Sequence, residues 1–158
     1  MREKQLNVIK KFKTLDPDSV NWRLGMARVY WHKGSLKALR YFREILNLKP
    51  SPVRKFLAMA GMGISYYMAK KFPQAEKWYL KALKLLNKLE SKHPEVDKFG
   101  IFTCLMALYE AWHRPKEAIK YARKALSLYH SLPSRYRNNK RGKRRLQRIK
   151  KLLNKYDK

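Results

Sequence analysis

Apolar residues along the chain recur at intervals of three and four, and no segment sustains an alternation of apolar and polar residues. Intervals of three and four place side chains on one face of an α-helix. The pattern is clearest over residues 39–46, 78–86 and 119–126, and Gly34 and most of the prolines fall between the periodic segments, where helices end. The chain is also rich in Ala, Leu, Lys, Met and Arg, which favour helix. We therefore predict an all-α protein with short turns.

One segment of this pattern occurs three times. The copies begin at Ala38, Ala75 and Ala118, which are 37 and 43 residues apart. Each copy has a bulky or apolar residue four positions after the alanine and the sequence Ala/Ile-Leu-x-Leu beginning seven positions after it. A further helix is predicted ahead of each copy, over residues 21–32, 52–69 and 95–113. The chain is thus expected to consist of repeated helix pairs.

The repeated pattern resembles the tetratricopeptide repeat (TPR) family, whose repeats run W-x₂-L-G-x₂-Y, then A-x₃-F, then P. The first copy carries Trp22, Leu24, Gly25, Gly34, Ala38, Phe42 and Pro50. The second carries Met62, Gly63, Tyr66, Phe72, Ala75 and Tyr79, and the third carries Leu105, Tyr109, Ala118 and Ala125. The likeness covers residues 5–132, although the spacing from Trp to Leu in the first copy is one residue short. It implies a right-handed α-solenoid of antiparallel helix pairs.

This resemblance divides the chain into a repeat domain and a basic extension. The repeat domain spans residues 1–133, with a half-repeat over 2–15 and repeats over about 18–50, 52–92 and 94–132. Because a single repeat cannot bury its own apolar face, the half-repeat is expected to cap one end, with Ile9 and Phe12 as packing residues. The extension spans 134–158. We predict a flexible charged connector over 134–143 and an amphipathic helix over 144–156 that packs on the third repeat.

Net charge points to a partner. The chain has 158 residues, with 39 Lys and Arg against 11 Asp and Glu, which gives a formal charge of +28. Such an excess repels itself, unlike the balanced ion-pair networks of thermophile surfaces. We therefore predict a polyanionic partner, first RNA or DNA, then an anionic membrane or an acidic protein. Without a recognisable base-reading module, binding is expected to be non-specific or directed by shape. The predicted polyanion-binding residues are Lys77, Lys81, Lys84, Lys88, Lys120, Arg135, Arg137, Arg141, Lys143, Arg144, Arg145, Arg148 and Lys151.

The resemblance also implies a concave groove lined by the first helix of each repeat. The groove residues matched in this chain are Arg23, Ala27, Tyr30, Trp31, Leu57, Ile64, Tyr67 and Met68. Their largely apolar and aromatic character suits an apolar helix or strand of a partner protein. An alternative interpretation is that Trp31, Tyr67 and Met68 pack inside the protein instead. TPR members that bind chaperone tails carry Lys and Asn in the groove, and only Arg23 matches, so that activity is not expected here.

Patterns typical of catalysis or metal binding are absent from the sequence. The four histidines, His32, His93, His113 and His130, are scattered at predicted helix ends. Cys104 lies in an apolar segment and is expected to be a core thiol. We therefore predict a cytoplasmic, non-catalytic scaffold without cofactor, metal or transmembrane segment, which holds a protein in its groove and contacts nucleic acid through its basic face. The alternatives are a purely protein-binding adaptor for an acidic partner and a self-assembling protein.

Overall fold

A computed structural model describes residues 2–31, 36–89 and 94–156 of the chain. Every regular element in these ranges is an α-helix, so the prediction of an all-α protein is confirmed. The helices are α1 (Arg2–Leu15), α2 (Val20–Trp31), α3 (Lys37–Asn47), α4 (Pro52–Met68), α5 (Phe72–Leu86), α6 (Pro94–Ala111), α7 (Pro115–Tyr129), α8 (Ser134–Arg137) and α9 (Lys140–Tyr156). None of the helices in these ranges is long and apolar enough to cross a lipid bilayer. The predicted helix ends at His32 and His93 lie outside the described residues.

The prediction of a flexible connector over residues 134–143 is wrong. This segment contains α8 and the first turn of α9. The amide N–H of Gly142 donates a hydrogen bond of 2.8 Å to the side-chain oxygen of Asn139, which caps the N-terminus of α9. The helix therefore starts at Lys140 rather than Arg144.

The chain forms two compact units, residues 1–85 and 86–158. In the first unit, α2 packs against α1, α3 and α4, and α3 packs against α4. The buried core of these helices consists of Val20, Ala27, Ala38, Leu39, Phe42, Ile45, Ala58 and Met62. The ring of Phe42 lies so close to Gly61 that a Cβ atom at this position would be 2.2 Å from the ring. Close packing of α3 on α4 therefore depends on glycine here.

The three copies of the repeated segment bury the same positions. The starting alanine, the residue four positions later and the residue seven positions later are each at most 1% exposed in every copy. These residues are Ala38, Phe42 and Ile45; Ala75, Tyr79 and Ala82; and Ala118, Ala122 and Ala125. The periodicity of three and four in the sequence thus identified the buried face of α3, α5 and α7 correctly.

The turns that follow α4 and α6 have the same hydrogen-bond pattern, 43 residues apart. After α4, the N–H of Lys71 donates to the carbonyl of Tyr66 at 2.9 Å, and the N–H of Lys70 donates to Tyr67 at 2.9 Å. The matching bonds after α6 run from Arg114 to Tyr109 at 2.9 Å and from His113 to Glu110 at 3.2 Å. Lys70 and His113 also share a φ of 57°. Both turns are therefore Schellman-type helix ends closed by a left-handed residue.

The first turn of α7 supports a prediction about pH. The pKa of Glu117 lies below its usual value of 4.5, first because its own backbone N–H donates to the carboxylate and then because the Arg114 guanidinium does. A lowered pKa means that the contribution to stability is present above the unfolded pKa and is lost as pH falls through the folded one. NMR titration of the Glu117 carboxyl carbon should give a midpoint below 4.5. Arg114→Ala should raise this midpoint more than Lys116→Ala does. Equal shifts in the two variants would contradict the contribution of the Arg114 guanidinium to the lowered pKa.

The second unit is built around α7, which packs against α6 and α9. Ile149 and Leu152 of α9 are buried, so the C-terminal helix packs on α7 through the apolar stripe that the sequence predicted. The hydroxyl of Tyr129 donates a hydrogen bond of 3.1 Å to the carbonyl of Arg137 and joins α7 to α8. The basic C-terminal segment is thus part of the folded second unit.

One packing prediction for the half-repeat is wrong. Ile9 is half-buried, as expected, but the side chain of Phe12 is 55% exposed. Phe12 lies on one line of α1 with Val8 and Leu15, which are also exposed. The apolar residues of α1 are distributed over two faces, and Phe12 is on the face that does not pack against α2.

Candidate nucleic-acid interface

Positive charge is concentrated at the end of the chain without acidic residues to balance it. Residues 118–156 contain fourteen Lys and Arg and no Asp or Glu. In the described part of the second unit, the acidic residues lie on α6 and the first turn of α7, at Glu95, Asp97, Glu110 and Glu117. The rest of α7 and all of α8 and α9 therefore carry positive charge only.

α9 presents most of this charge to solvent. Its 17 residues correspond to a length of about 25 Å. The buried side of the helix carries Gly142, Ile149 and Leu152. Ten side chains are exposed, and they are Lys140, Arg141, Lys143, Arg144, Gln147, Arg148, Lys150, Lys151, Asn154 and Lys155. The exposed face of α9 thus consists of eight cations and two amides.

Three of the predicted polyanion-binding arginines are less available to a ligand, two because their side chains have contacts within the second unit and one because it is half-buried. The guanidinium of Arg145 lies 5.8 Å from the ring centre of Phe99, and burial, followed by the charge of Arg141, lowers its pKa. The guanidinium remains charged, since its pKa starts far above neutral pH. The Arg148 side chain donates a hydrogen bond of 3.0 Å to Glu110. Both residues connect α9 to α6.

Arg137 is the third of these arginines. Its carbonyl accepts the hydrogen bond from Tyr129, and its Nε is buried without a hydrogen-bond partner among the described residues. The half-buried side chain is therefore less available to a phosphate than its position at the end of α8 suggested.

The other predicted cations are exposed, but they fall in different places. The structure brings Arg141, Lys143, Arg144 and Lys151 together on α9, while Lys120 lies on α7 and Arg135 on α8. Lys77, Lys81 and Lys84 lie on α5 in the first unit, and Lys88 follows the end of α5. Sequence reasoning missed Lys140, Lys150 and Lys155, which are also exposed on α9.

In the first unit, the groove residues predicted on α2 are engaged in packing. The side chain of Arg23 is 13% exposed and forms a 3.2 Å ion pair with Glu44. The same guanidinium donates to the carbonyl oxygens of Pro17 at 2.7 Å and Ser19 at 3.0 Å, which holds the turn between α1 and α2. Ala27 is fully buried in the core. Neither residue presents a surface to a partner.

The aromatic residues at the end of α2 pack against α3. The ring of Tyr30 stacks on Tyr41 with centroids 5.8 Å apart, and Trp31 lies 6.2 Å from Phe42. Both contacts belong to the core of the first unit. For Trp31, the structure therefore agrees with the interpretation of an interior residue.

The predicted groove residues on α4 behave differently. Leu57 and Met68 are each 45% exposed, and Ile64 is half-buried between them on the same line of the helix. Val53, which sequence reasoning missed, extends this line by one turn and is also exposed. Tyr67 lies to one side, with its ring 6.5 Å from Phe72. α4 thus carries an exposed apolar stripe consisting of Val53, Leu57, Ile64 and Met68.

A cleft of about 610 Å³ lies between α1, α2 and α3. Arg23 and Arg40 lie on its wall, and both form ion pairs with Glu44, at 3.2 and 2.9 Å. The ammonium of Lys13 lies 5.3 Å from the ring centre of Trp22. The charged groups of the cleft therefore interact with one another, which makes it a poorer candidate for anion binding than α9.

No group of three or more His, Cys, Asp or Glu residues that would suit a metal ion occurs in the ranges 2–31, 36–89 and 94–156. Comparison of the chain with protein-family models, with curated proteins and with solved structures found no match.

Proposed function

We propose that this protein is a non-catalytic, TPR-type binding module that contacts nucleic acid through the exposed face of α9. The observation that carries the proposal is a docked helix with eight exposed cations, in a stretch of 39 residues that contains no acidic residue. Lys and Arg side chains neutralise phosphates and release the counterions condensed on nucleic acid, which provides affinity without sequence information.

The docking of α9 favours binding in two ways. Because Ile149 and Leu152 hold the helix on α7, its cations are already arranged along one side, and little ordering is required when a ligand binds. Like charges spaced three and four residues apart also destabilise a helix. A polyanion relieves this repulsion and is therefore expected to stabilise the second unit as it binds.

Nucleic acid fits this surface better than a membrane does. Helices that lie on membranes insert an exposed apolar face among the lipids. In α9 the fully buried apolar residues pack inside the unit, and all ten exposed side chains are charged or amide. A phosphate chain requires only positive charge at regular intervals, which α9 provides over about 25 Å.

The repeat character of the protein is part of the same proposal. The common turn geometry after α4 and α6 and the three equivalent buried positions in α3, α5 and α7 support a module made of TPR-like helix pairs. The pairs would be α2–α3, α4–α5 and α6–α7. In this arrangement α9 packs on the second helix of the last pair and supplies the binding surface.

The experiment is a titration of fluorescently labelled nucleic acid with the full chain at several salt concentrations. A variant that replaces Lys140, Lys143, Lys150 and Lys155 with Gln removes four exposed cations from α9. The matched control replaces Lys4, Lys10, Lys11 and Lys55 with Gln. These residues are exposed in the first unit, and the control removes the same positive charge. Each lost phosphate contact lowers the slope of log affinity against log salt by about 1, so the α9 variant should lose about 3 to 4.

The control variant should retain most of the salt slope of the unaltered chain. Equal losses in the two variants would mean that the attraction depends on net charge alone and would contradict a defined surface on α9. Circular dichroism of both variants confirms that the helices are retained.

The exposed apolar stripe of α4 supports a second candidate function, which is protein binding or self-assembly. Its four side chains offer an apolar helix of a partner a continuous line of contact. Sedimentation velocity at increasing protein concentration tests self-assembly, since association that Leu57→Glu abolishes would place the contact on this stripe. If the chain remains monomeric at every concentration, self-assembly through the stripe is excluded, and the stripe would then bind a different protein.

A further inference from the structure

The two exposed amides of α9 lie on its outermost line. With 100° between successive residues, Lys140, Arg144, Gln147, Lys151 and Asn154 all project within about 40° of the direction opposite the buried Ile149. All five side chains are exposed. A surface that only neutralises phosphates gains nothing from amides in this row. The chemistry of this outer row therefore needs a different explanation.

These residue types are those that read base edges in the major groove of DNA. Gln and Asn form paired hydrogen bonds with N6 and N7 of adenine, and Arg and Lys with O6 and N7 of guanine. In the outer row, Arg144 and Gln147 are one turn apart, and Lys151 and Asn154 repeat the order of cation and amide seven residues later. Two successive turns of such pairs can face neighbouring base pairs along the groove.

Cations border the outer row on both sides. Lys143 and Lys150 project on one flank of α9, and Arg141 and Lys155 on the other. The major groove of B-DNA is about 12 Å wide and admits an α-helix. A helix inserted with its outer row toward the bases presents its two flanks to the phosphate backbones on either side. The arrangement of cations on both flanks, with cations and amides together in the row between them, matches this geometry.

We propose that α9 is a recognition helix that enters the major groove of duplex DNA, with Arg144, Gln147, Lys151 and Asn154 toward the bases. This inference rests on the proposed function and names its ligand. Duplex RNA is a poorer fit because its major groove is deep and narrow. The sequence alone predicts non-specific binding. Base reading is indicated only by the structure, which docks α9 and so places both amides on its exposed side.

Single-stranded nucleic acid also fits α9 less well. Proteins that bind single strands stack bases on exposed aromatic rings. The outer face of α9 carries no aromatic residue, and the nearest rings in the sequence, Tyr136 and Tyr156, are half-buried. Each of these rings also has a neighbouring cation over it, Arg135 at 4.8 Å and Lys155 at 4.6 Å.

The first test compares three probes of one sequence, which are duplex DNA, duplex RNA and single-stranded DNA, titrated with the full chain at about 0.15 M salt. Duplex DNA should bind at least tenfold more tightly than either of the others. Equal or tighter binding of duplex RNA or of the single strand would overturn the inference but leave nucleic-acid binding in place. A chain that binds none of the probes at any salt concentration would overturn the proposed function as well.

The second test uses selection from a pool of random duplex DNA, carried out with the full chain and with Gln147→Ala and Asn154→Ala. Because these side chains are exposed, both variants are expected to fold normally. Each should lose about 5- to 150-fold discrimination at one base pair of the selected site. The matched flank variant Lys150→Gln should instead weaken all sequences alike and lower the salt slope by about 1. Selection that yields no preferred sequence, or a preference unchanged in both alanine variants, would overturn base reading.

Discussion

Replacing Phe42 with alanine is expected to lower the free energy of unfolding of the first unit by about 3–5 kcal/mol. The side chain is 1% exposed, and its ring contacts Trp31 and closely approaches Gly61. Its removal leaves a cavity where α3 meets α4, and the rigid backbone of two helices closes such a cavity only in part. Urea denaturation of the full chain, followed by tryptophan fluorescence and circular dichroism, measures the change.

A double-mutant cycle between Phe42 and Gly61 tests the contact itself. Gly61→Ala alone should cost about 1–3 kcal/mol, because the new Cβ atom overlaps the ring. In combination with Phe42→Leu the added methyl group gains space, so the double variant should lose less stability than the sum of the single variants. Additive losses would contradict the close approach of α3 to α4.

Gly142→Ala is expected to have the largest effect in the second unit. A Cβ atom at this position would lie 2.0 Å from the carbonyl oxygen of Tyr136, and a backbone atom cannot move aside as the end of a flexible side chain can. The start of α9 would have to separate from α8, with a loss of about 3 kcal/mol or more. Because α9 carries the proposed interface, nucleic-acid affinity should fall together with stability.

Gly100→Ala is the matched control for this variant. Gly100 also lies in a helix of the second unit, but a Cβ atom there would meet only a guanidinium nitrogen of Arg145 at 3.9 Å. The substitution should be neutral or stabilising by up to about 1 kcal/mol, since alanine favours helix more than glycine does. Equal denaturation midpoints for the two variants would contradict the tight corner between α8 and α9.

The sequence predicted the buried faces of the second helices well because these helices are strongly amphipathic. The apolar residues of α3, α5 and α7 fall on one side, so Ala38, Ala75 and Ala118 mark the core without tertiary information. α2 and α1 are different, since apolar residues surround much of each helix. Periodicity alone did not decide that Ala27 points inward or that Phe12 points outward, because that depends on which neighbouring helix covers each side.

The candidate interface was only partly predictable for a related reason. A run of Lys and Arg with apolar residues at intervals of three and four was sufficient to predict a basic amphipathic helix. The sequence did not distinguish arginines that are available to a ligand from arginines that connect α9 to α6. The partners of Arg145 and Arg148 lie on α6, and Glu110 is 38 residues away from Arg148. The start of α9 was missed because its cap is the single side chain of Asn139.

The most direct test of the claim that α9 is the nucleic-acid surface is amide chemical-shift mapping of the full chain with a short DNA duplex. The largest shift changes should fall between residues 140 and 155, on the amides of the exposed positions. Amides of the α4 stripe should be little affected, and the changes should diminish as salt is raised. Changes centred on α2, α4 or α5 with α9 unaffected, or no changes even at low salt, would contradict the account.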